Sequence, residues 1–212
     1  MSRAQRLAVV LLLNLALVAG LVVVGLGAHS LGVLAAGVDY LADASAIGVS
    51  LLAIWLARRP GGRYRNATNV AAVINAGWML VVSIAVVAGG VQRLVSGTPH
   101  VDGRPVLIAS AVAAAAMLCG ALVLREGTGG AGGEDLNVKA VLLDTAADAA
   151  AAGGVALTGA IILATHGWYW LDPAVAMIIA VVVGYQALGL VWKALTALRR
   201  PMRARHAENP EM

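Results

Sequence analysis

The sequence predicts an all-α integral membrane protein of six transmembrane helices, with the N- and C-termini cytoplasmic. Three observations carry this expectation. Of the 212 residues, 60% are hydrophobic and 12% charged, and the mean hydropathy is +0.85, a composition that water-soluble domains do not have. The apolar residues fall into six runs, each close to the roughly 20 residues that a spanning helix needs. Lysines and arginines collect at alternate ends of those runs, which is how a positive-inside orientation is written in a sequence. Residues 1–198 are expected to form the six-span unit and residues 199–212 a short basic cytoplasmic tail, leaving no room for a sizeable soluble domain.

The first run, 7–28, follows Arg3 and Arg6. It outlasts the apolar core of a signal peptide and lacks a convincing small-residue cleavage pattern, so it reads as a retained span, with Asn14 placed to bond a neighbouring helix. The second run, 31–56, carries Asp39 and Asp43 and stops at Arg58-Arg59-Pro60-Gly61-Gly62-Arg63-Tyr64-Arg65. Proline, glycines and arginines make that stretch a cytoplasmic turn, where the sequon Asn66-Ala67-Thr68 has no glycosylation meaning. The third run, 70–94, contains Asn75, Trp78 and Ser83. An outer turn at 96–104 precedes the fourth run, 105–124. His100 and Asp102 in that turn could touch a metal, but an exposed pair of this kind is more often solvated.

The glycine-rich stretch from Gly127 to Gly133 lacks the G-K-[ST] ending of a phosphate loop and follows a span, not a strand, so it reads as a linker. The fifth run, 137–165, carries Asp144 and Asp148 among many small residues that permit close helix approach. His166-Gly167-Trp168-Tyr169-Trp170 is expected at the membrane interface. Asp172-Pro173 resembles an N-cap with proline at the first helical position, opening the sixth run, 174–195. Few basic residues flank the outer turns; Arg93 and Arg104 beside the 96–104 turn dissent mildly from the orientation.

A net charge of +4 and a pI near 9.7 could point to nucleic acid. The arginines, however, sit at the ends of apolar runs, with no basic face interleaved with aromatics for base stacking, so no nucleic-acid partner is expected. Cys119 is the one cysteine and lies in an apolar run, which rules out an internal disulfide and points to a small packing residue.

The chemistry concentrates in two echoing stretches. Asp39-Tyr40-Leu41-Ala42-Asp43-Ala44-Ser45-Ala46-Ile47-Gly48 and Asp144-Thr145-Ala146-Ala147-Asp148-Ala149-Ala150-Ala151-Ala152-Gly153 both read D-x-x-A-D-A-x-A-x-G. On a helix, i, i+4 spacing stacks each aspartate pair on one face about one turn apart. Carboxylates at bilayer depth are costly unless they face a partner, a cavity or an ion, so four that converge from two helices call for a divalent cation, or protons in its absence. Two rivals stand beside this reading. One is a non-transporting bundle, or partner subunit, whose aspartates fix helix packing. The other is an intramembrane aspartyl protease, against which each helix carries its own pair and no other catalytic group stands out. No enzyme activity is expected.

In serial order the chain resembles the cation diffusion facilitator family of metal exporters. The resemblance covers residues 14–198. It rests on Ser30-Leu31-Gly32-Val33-Leu34-Ala35 leading to Asp39 and Asp43, on Ala72-Val73-Ile74-Asn75-Ala76, on Leu136-Asn137-Val138-Lys139-Ala140 leading to Asp144 and Asp148, and on Gly167-Trp168-Tyr169-Trp170-Leu171-Asp172-Pro173. It implies a tetrahedral transport site formed by Asp39, Asp43, Asp144 and Asp148, and exchange of cytoplasmic Zn²⁺, Mn²⁺, Fe²⁺, Co²⁺ or Cd²⁺ for protons. Many zinc-carrying members have histidine at the first position of a pair, where this chain has aspartate at both. The usual soluble metal-binding domain after the last span is not expected beyond the basic tail at 199–212, and the 57–66 turn has arginines where some members hold an accessory metal. The resemblance therefore implies one site and a homodimer held by membrane helices.

Oxygen ligands suit harder ions such as Mn²⁺ and Fe²⁺, although zinc also accepts them, while crowded carboxylates serve octahedral magnesium poorly. The expected substrate is a first-row divalent metal, with no cofactor. Repulsion among the carboxylates makes their titrations coupled, so protons held without metal leave when it enters, and alternating access turns that exchange into antiport. The expected partners are metal ions, protons and the lipid bilayer, and the expected location is a bacterial inner membrane, crossed several times.

Overall fold

The computed structural model describes residues 3–57, 64–126 and 136–207. They form six helices: α1 (Arg3–Gly27), α2 (Leu31–Ala57), α3 (Tyr64–Ser96), α4 (Gly103–Glu126), α5 (Leu136–Thr165) and α6 (Leu171–Ala207). Each expected run falls within one of them or overhangs it by a residue. The core of the arginine turn and the glycine-rich linker, expected at 58–66 and 125–135, lie largely outside the described residues.

The outer turns are tight, and their backbones show how. Three residues separate α1 from α2, and His29 reverses the chain there in the left-handed region, φ 55°. His166 and Trp168 do the same between α5 and α6, φ 50° and 58°. Gly97, at φ 99°, follows the last residue of α3, the place where a residue without Cβ ends a helix at least cost.

Among the described residues, three stretches are long and apolar enough to cross a bilayer: Ala72–Ser96, Thr145–Thr165 and Leu171–Thr196. Shorter apolar stretches occupy Asn14–Gly27 and Gly103–Cys119. The sixth helix contains the expected run and outlasts it. It continues through Pro201 to Ala207, 37 residues in all, or about 55 Å, nearly twice the hydrocarbon thickness. The first part of the basic tail is thus helical.

Lipid is as apolar as leucine, so helices in it associate through close packing and polar links and not through the hydrophobic effect. Ile74, Ile84, Ile108, Val181 and Trp192 accordingly face outward. The helices pack chiefly as pairs, α1 with α2, α3 with α6 and α4 with α5, and α2 occupies the middle, touching all the others. The α4–α5 pair is the tightest by construction. A Cβ on Gly159 would lie 2.6 Å from the Leu107 backbone nitrogen, and one on Gly103 would lie 2.7 Å from the Gly159 carbonyl oxygen. Backbone meets backbone there only because both residues are glycine. Val33, Tyr40, Val106, Val155 and Val183 fill the buried centre around α2.

Candidate metal centre

Helix α2 begins at a fully buried cap. Ser30 Oγ accepts a hydrogen bond from the Val33 N–H at 3.1 Å, satisfying one of the free amides of the first turn. The hydroxyl itself donates to Asp172 Oδ1 at 2.5 Å. The same carboxylate accepts the next two amides of α2, Leu31 N–H on Oδ2 at 2.7 Å and Gly32 N–H on Oδ1 at 3.1 Å. Arg93 of α3 stands 3.8 Å from Oδ2 and donates to the His29 carbonyl at 2.6 Å. Asp172 was expected to cap its own helix; instead α6 starts one residue earlier, at Leu171, and the carboxylate caps α2 from across the bundle. The reason is electrostatic. The positive end of the α2 dipole and an arginine together compensate a carboxylate that has no exposed surface. Arg93, out of place as an outer basic residue, is accounted for by this ion pair.

From that cap α2 runs inward to Asp39 and Asp43, and α5 carries Asp144 and Asp148 from the opposite side, the two helices touching along part of their length. Asp39 and Asp148 are buried, 9% and 8% exposed, and Asp43 is half-buried. Asp144 lies on α5, but its side chain is outside the described residues. Tyr40, beside Asp39 on α2, is 2% exposed. Its phenol feels the charges of Asp148 of α5 and of Asp39 and Asp43 of α2, and among the described residues its hydroxyl has no hydrogen-bond partner. Among the described residues, which leave out the Asp144 side chain, no three His, Cys, Asp or Glu side chains are gathered closely enough to hold a metal ion.

Two further residues, which sequence reasoning did not single out as partners, bind α3 to this part of α2. Asn75 Nδ2 donates to Ser45 Oγ at 2.6 Å, and Ser45 Oγ donates to the Ala42 carbonyl at 2.5 Å. The signal was present in the sequence as an asparagine in an apolar run and a serine two places after Asp43. Only contact between helices pairs them.

The outer polar residues serve the turns. Asp102 Oδ1 accepts the Arg104 N–H at 3.2 Å as the cap of α4, and its own N–H donates to the Ala28 carbonyl at 3.3 Å. His100 packs its ring on Tyr169 with centroids 4.9 Å apart, and the His166 carbonyl accepts the Tyr169 hydroxyl at 3.2 Å. The exposed Cys119 lies on the outside of α4, a lipid-facing packing residue and not a core one.

Residues 7–199 match the model of the cation efflux transmembrane domain. The chain is 29% identical over 176 residues to the human proton-coupled zinc antiporter SLC30A2, covering 77% of this chain and 47% of that protein. It is 31% identical over 160 residues to the zinc transporter ZitB of Yersinia pestis, covering 73% and 49%. It is 26% identical over 183 residues to the cadmium, cobalt and zinc/H(+)-K(+) antiporter of Bacillus subtilis strain 168, covering 82% and 58%. The chain thus spans about half the length of the relatives it matches. With the family model covering nearly all of it, and with aspartate pairs on α2 and α5 inside that match, the chain belongs to the cation efflux, or cation diffusion facilitator, family as a multi-pass inner-membrane protein.

Proposed function

We propose that this chain carries divalent transition-metal cations out of the cytoplasm in exchange for protons, with Asp39, Asp43, Asp144 and Asp148 as the ligands of a single transport site. The observation that carries the reading is the burial of carboxylates on both α2 and α5, Asp39 and Asp148, in helices that touch inside an apolar bundle. The relatives named above as zinc, cadmium and cobalt transporters or antiporters support the substrate class. The wider set of Zn²⁺, Mn²⁺, Fe²⁺, Co²⁺ and Cd²⁺ is what the family resemblance implies; the all-oxygen ligand set itself favours the harder Mn²⁺ and Fe²⁺ and also accepts Zn²⁺.

The chain's own part in the cycle is electrostatic. With metal bound, the carboxylates are ionised and their charge is compensated. As the ion leaves, carboxylates held close together in a poorly solvated place take up protons, which lowers their mutual repulsion. Rocking of helices about the site would open it to one side or the other. In this reading all six helices span the bilayer, residues 1–198 form the transporting unit, both termini face the cytoplasm, and two copies associate through membrane helices.

Purified protein in sealed liposomes tests it. A fluorescent or radioactive reporter should register uptake of Zn²⁺, Co²⁺ or Mn²⁺ that is accelerated by an opposing proton gradient. Asp39→Ala, Asp43→Ala, Asp144→Ala and Asp148→Ala should each reduce uptake to the level of empty vesicles while the proteins stay inserted. Parental rates in any two of the four variants would refute the ligand set, and absence of flux in the parent would favour the packing role for the aspartates.

A further inference from the structure

We infer that the groove between α1 and α4 holds one acyl chain of an anionic phospholipid, whose phosphate pairs with Arg104 at the outer end of α4. The site is separate from the transport reading and does not depend on it.

The two helices touch only sparsely, and a groove of about 380 Å³ lies between them. Its lining is apolar, with the buried Leu21 at its base and the exposed Ile108 and Val112 on its rim. Gly20 lines it as well, and a Cβ added there would meet nothing within 4 Å, so the space is open and not a packed seam. Along α1 the groove runs from Ala16 to Val24, about 12 Å at the helical rise. Val24 and Pro105 lie close to the outer ends of their helices, so the groove starts at the outer surface and reaches roughly half the ~30 Å hydrocarbon thickness, the depth of one leaflet. Water would find no polar partners in it. What fills an apolar groove of that depth, open sideways to a bilayer, is a hydrocarbon chain of the outer leaflet.

Charge selects the lipid. Arg104 stands one turn before Ile108 and hence on the rim side of α4. Helical side chains lean toward the helix N-terminus, which for α4 is the outer surface, and a long cationic side chain reaches headgroup level there. Arg104 is exposed, and among the described residues its guanidinium has no ion pair. Asp102, two residues before it, is engaged in capping α4 by accepting the Arg104 N–H. Arg93, the other outer arginine of the 96–104 turn, is committed to Asp172 and the His29 carbonyl. Arg104 therefore offers its charge to a group outside the protein, at the mouth of a groove shaped for a chain. A phospholipid with net negative charge supplies both parts in one molecule.

Native mass spectrometry of the full chain in detergent, titrated with phosphatidylglycerol or phosphatidylcholine, tests this. The parent should retain one phosphatidylglycerol per chain at about fivefold lower concentration than phosphatidylcholine, the effect of one basic residue facing an anionic headgroup. Arg104→Gln should erase that preference while phosphatidylcholine binds as before. Gly20→Leu, whose side chain enters the open groove, should remove the retained lipid whichever headgroup it carries; Val181→Leu, on the outward face of α6, should not. Joining Arg104→Gln to Gly20→Leu should cause no further loss, because headgroup and chain belong to the same molecule.

Lipid retained unchanged by Gly20→Leu overturns the inference, and so does a phosphatidylglycerol preference that survives Arg104→Gln. If Gly20→Leu instead leaves the lipid bound but converts a dimeric particle into single chains, the groove belongs to a second copy of the protein and the lipid site is refuted. Arg104→Gln alters only an exposed side chain, so its result decides the question whatever Gly20→Leu does to insertion.

Discussion

Asp172 and Asp148 are both buried carboxylates of this chain, and what surrounds them separates their roles. Asp172 is compensated by a helix N-terminus, a hydroxyl and an arginine, whereas Asp148 is buried on α5, which touches the helix that carries Asp39 and Asp43. Like charges brought together in a bundle are what a cation or protons would relieve. At this scale ligand chemistry is open to experiment. Asp39→His or Asp144→His exchanges a hard oxygen for an imidazole, and the ratio of Zn²⁺ to Mn²⁺ uptake should rise severalfold in liposome flux measured with both ions in competition. A ratio unchanged in both variants would assign selectivity to access or geometry. The aspartate pairs were legible in the sequence because i, i+4 spacing is a property of the helix alone. The partner of Asp172 was not, because 140 residues separate it from Gly32.

Helix by helix, the sequence anticipated where each element lies, since an apolar run bounded by glycine, proline and arginine leaves little choice of location. It did not anticipate which helices pair. The α4–α5 contact at Gly103 and Gly159 depends on two glycines 56 positions apart facing one another; Gly103 had read only as part of the outer turn, and Gly159 as one small residue among many. Gly159→Ala should therefore be disproportionately harmful. A methyl there meets the Leu107 backbone at 2.6 Å, and neither helix can yield without giving up contacts elsewhere, at about 1–3 kcal/mol for an overpacked site. Thermal unfolding in detergent should show a lowered midpoint for Gly159→Ala. The same change at Gly153, where nothing lies within 4 Å of an added Cβ, should leave it close to the parent.

Taken whole, the molecule is three helix pairs arranged around α2, with α6 extending past the length needed to cross the bilayer. The proposed site lies between α2 and α5, remote in sequence from the basic end of α6. Truncation after Leu198 should then leave metal affinity within about twofold of the parent by calorimetry, since no proposed ligand is removed and the basic residues beyond it are expected to act on anionic lipid at about 1 kcal/mol each. Loss of binding in a truncated protein that still inserts would make the end of α6 part of the metal pathway.

The sequence by itself determined the class of protein, the six helices and the two aspartate pairs, because each follows from local composition and helical period. Only the tertiary structure decided that Asp172 caps α2, that Arg93 belongs to that cap, that Asn75 meets Ser45, and that Tyr40 is buried. Each of these depends on which faces of distant helices touch. In a chain this uniformly apolar, hydrophobic pattern does not specify those faces; they are chosen by a few polar hydrogen bonds and by the glycines that let backbones close.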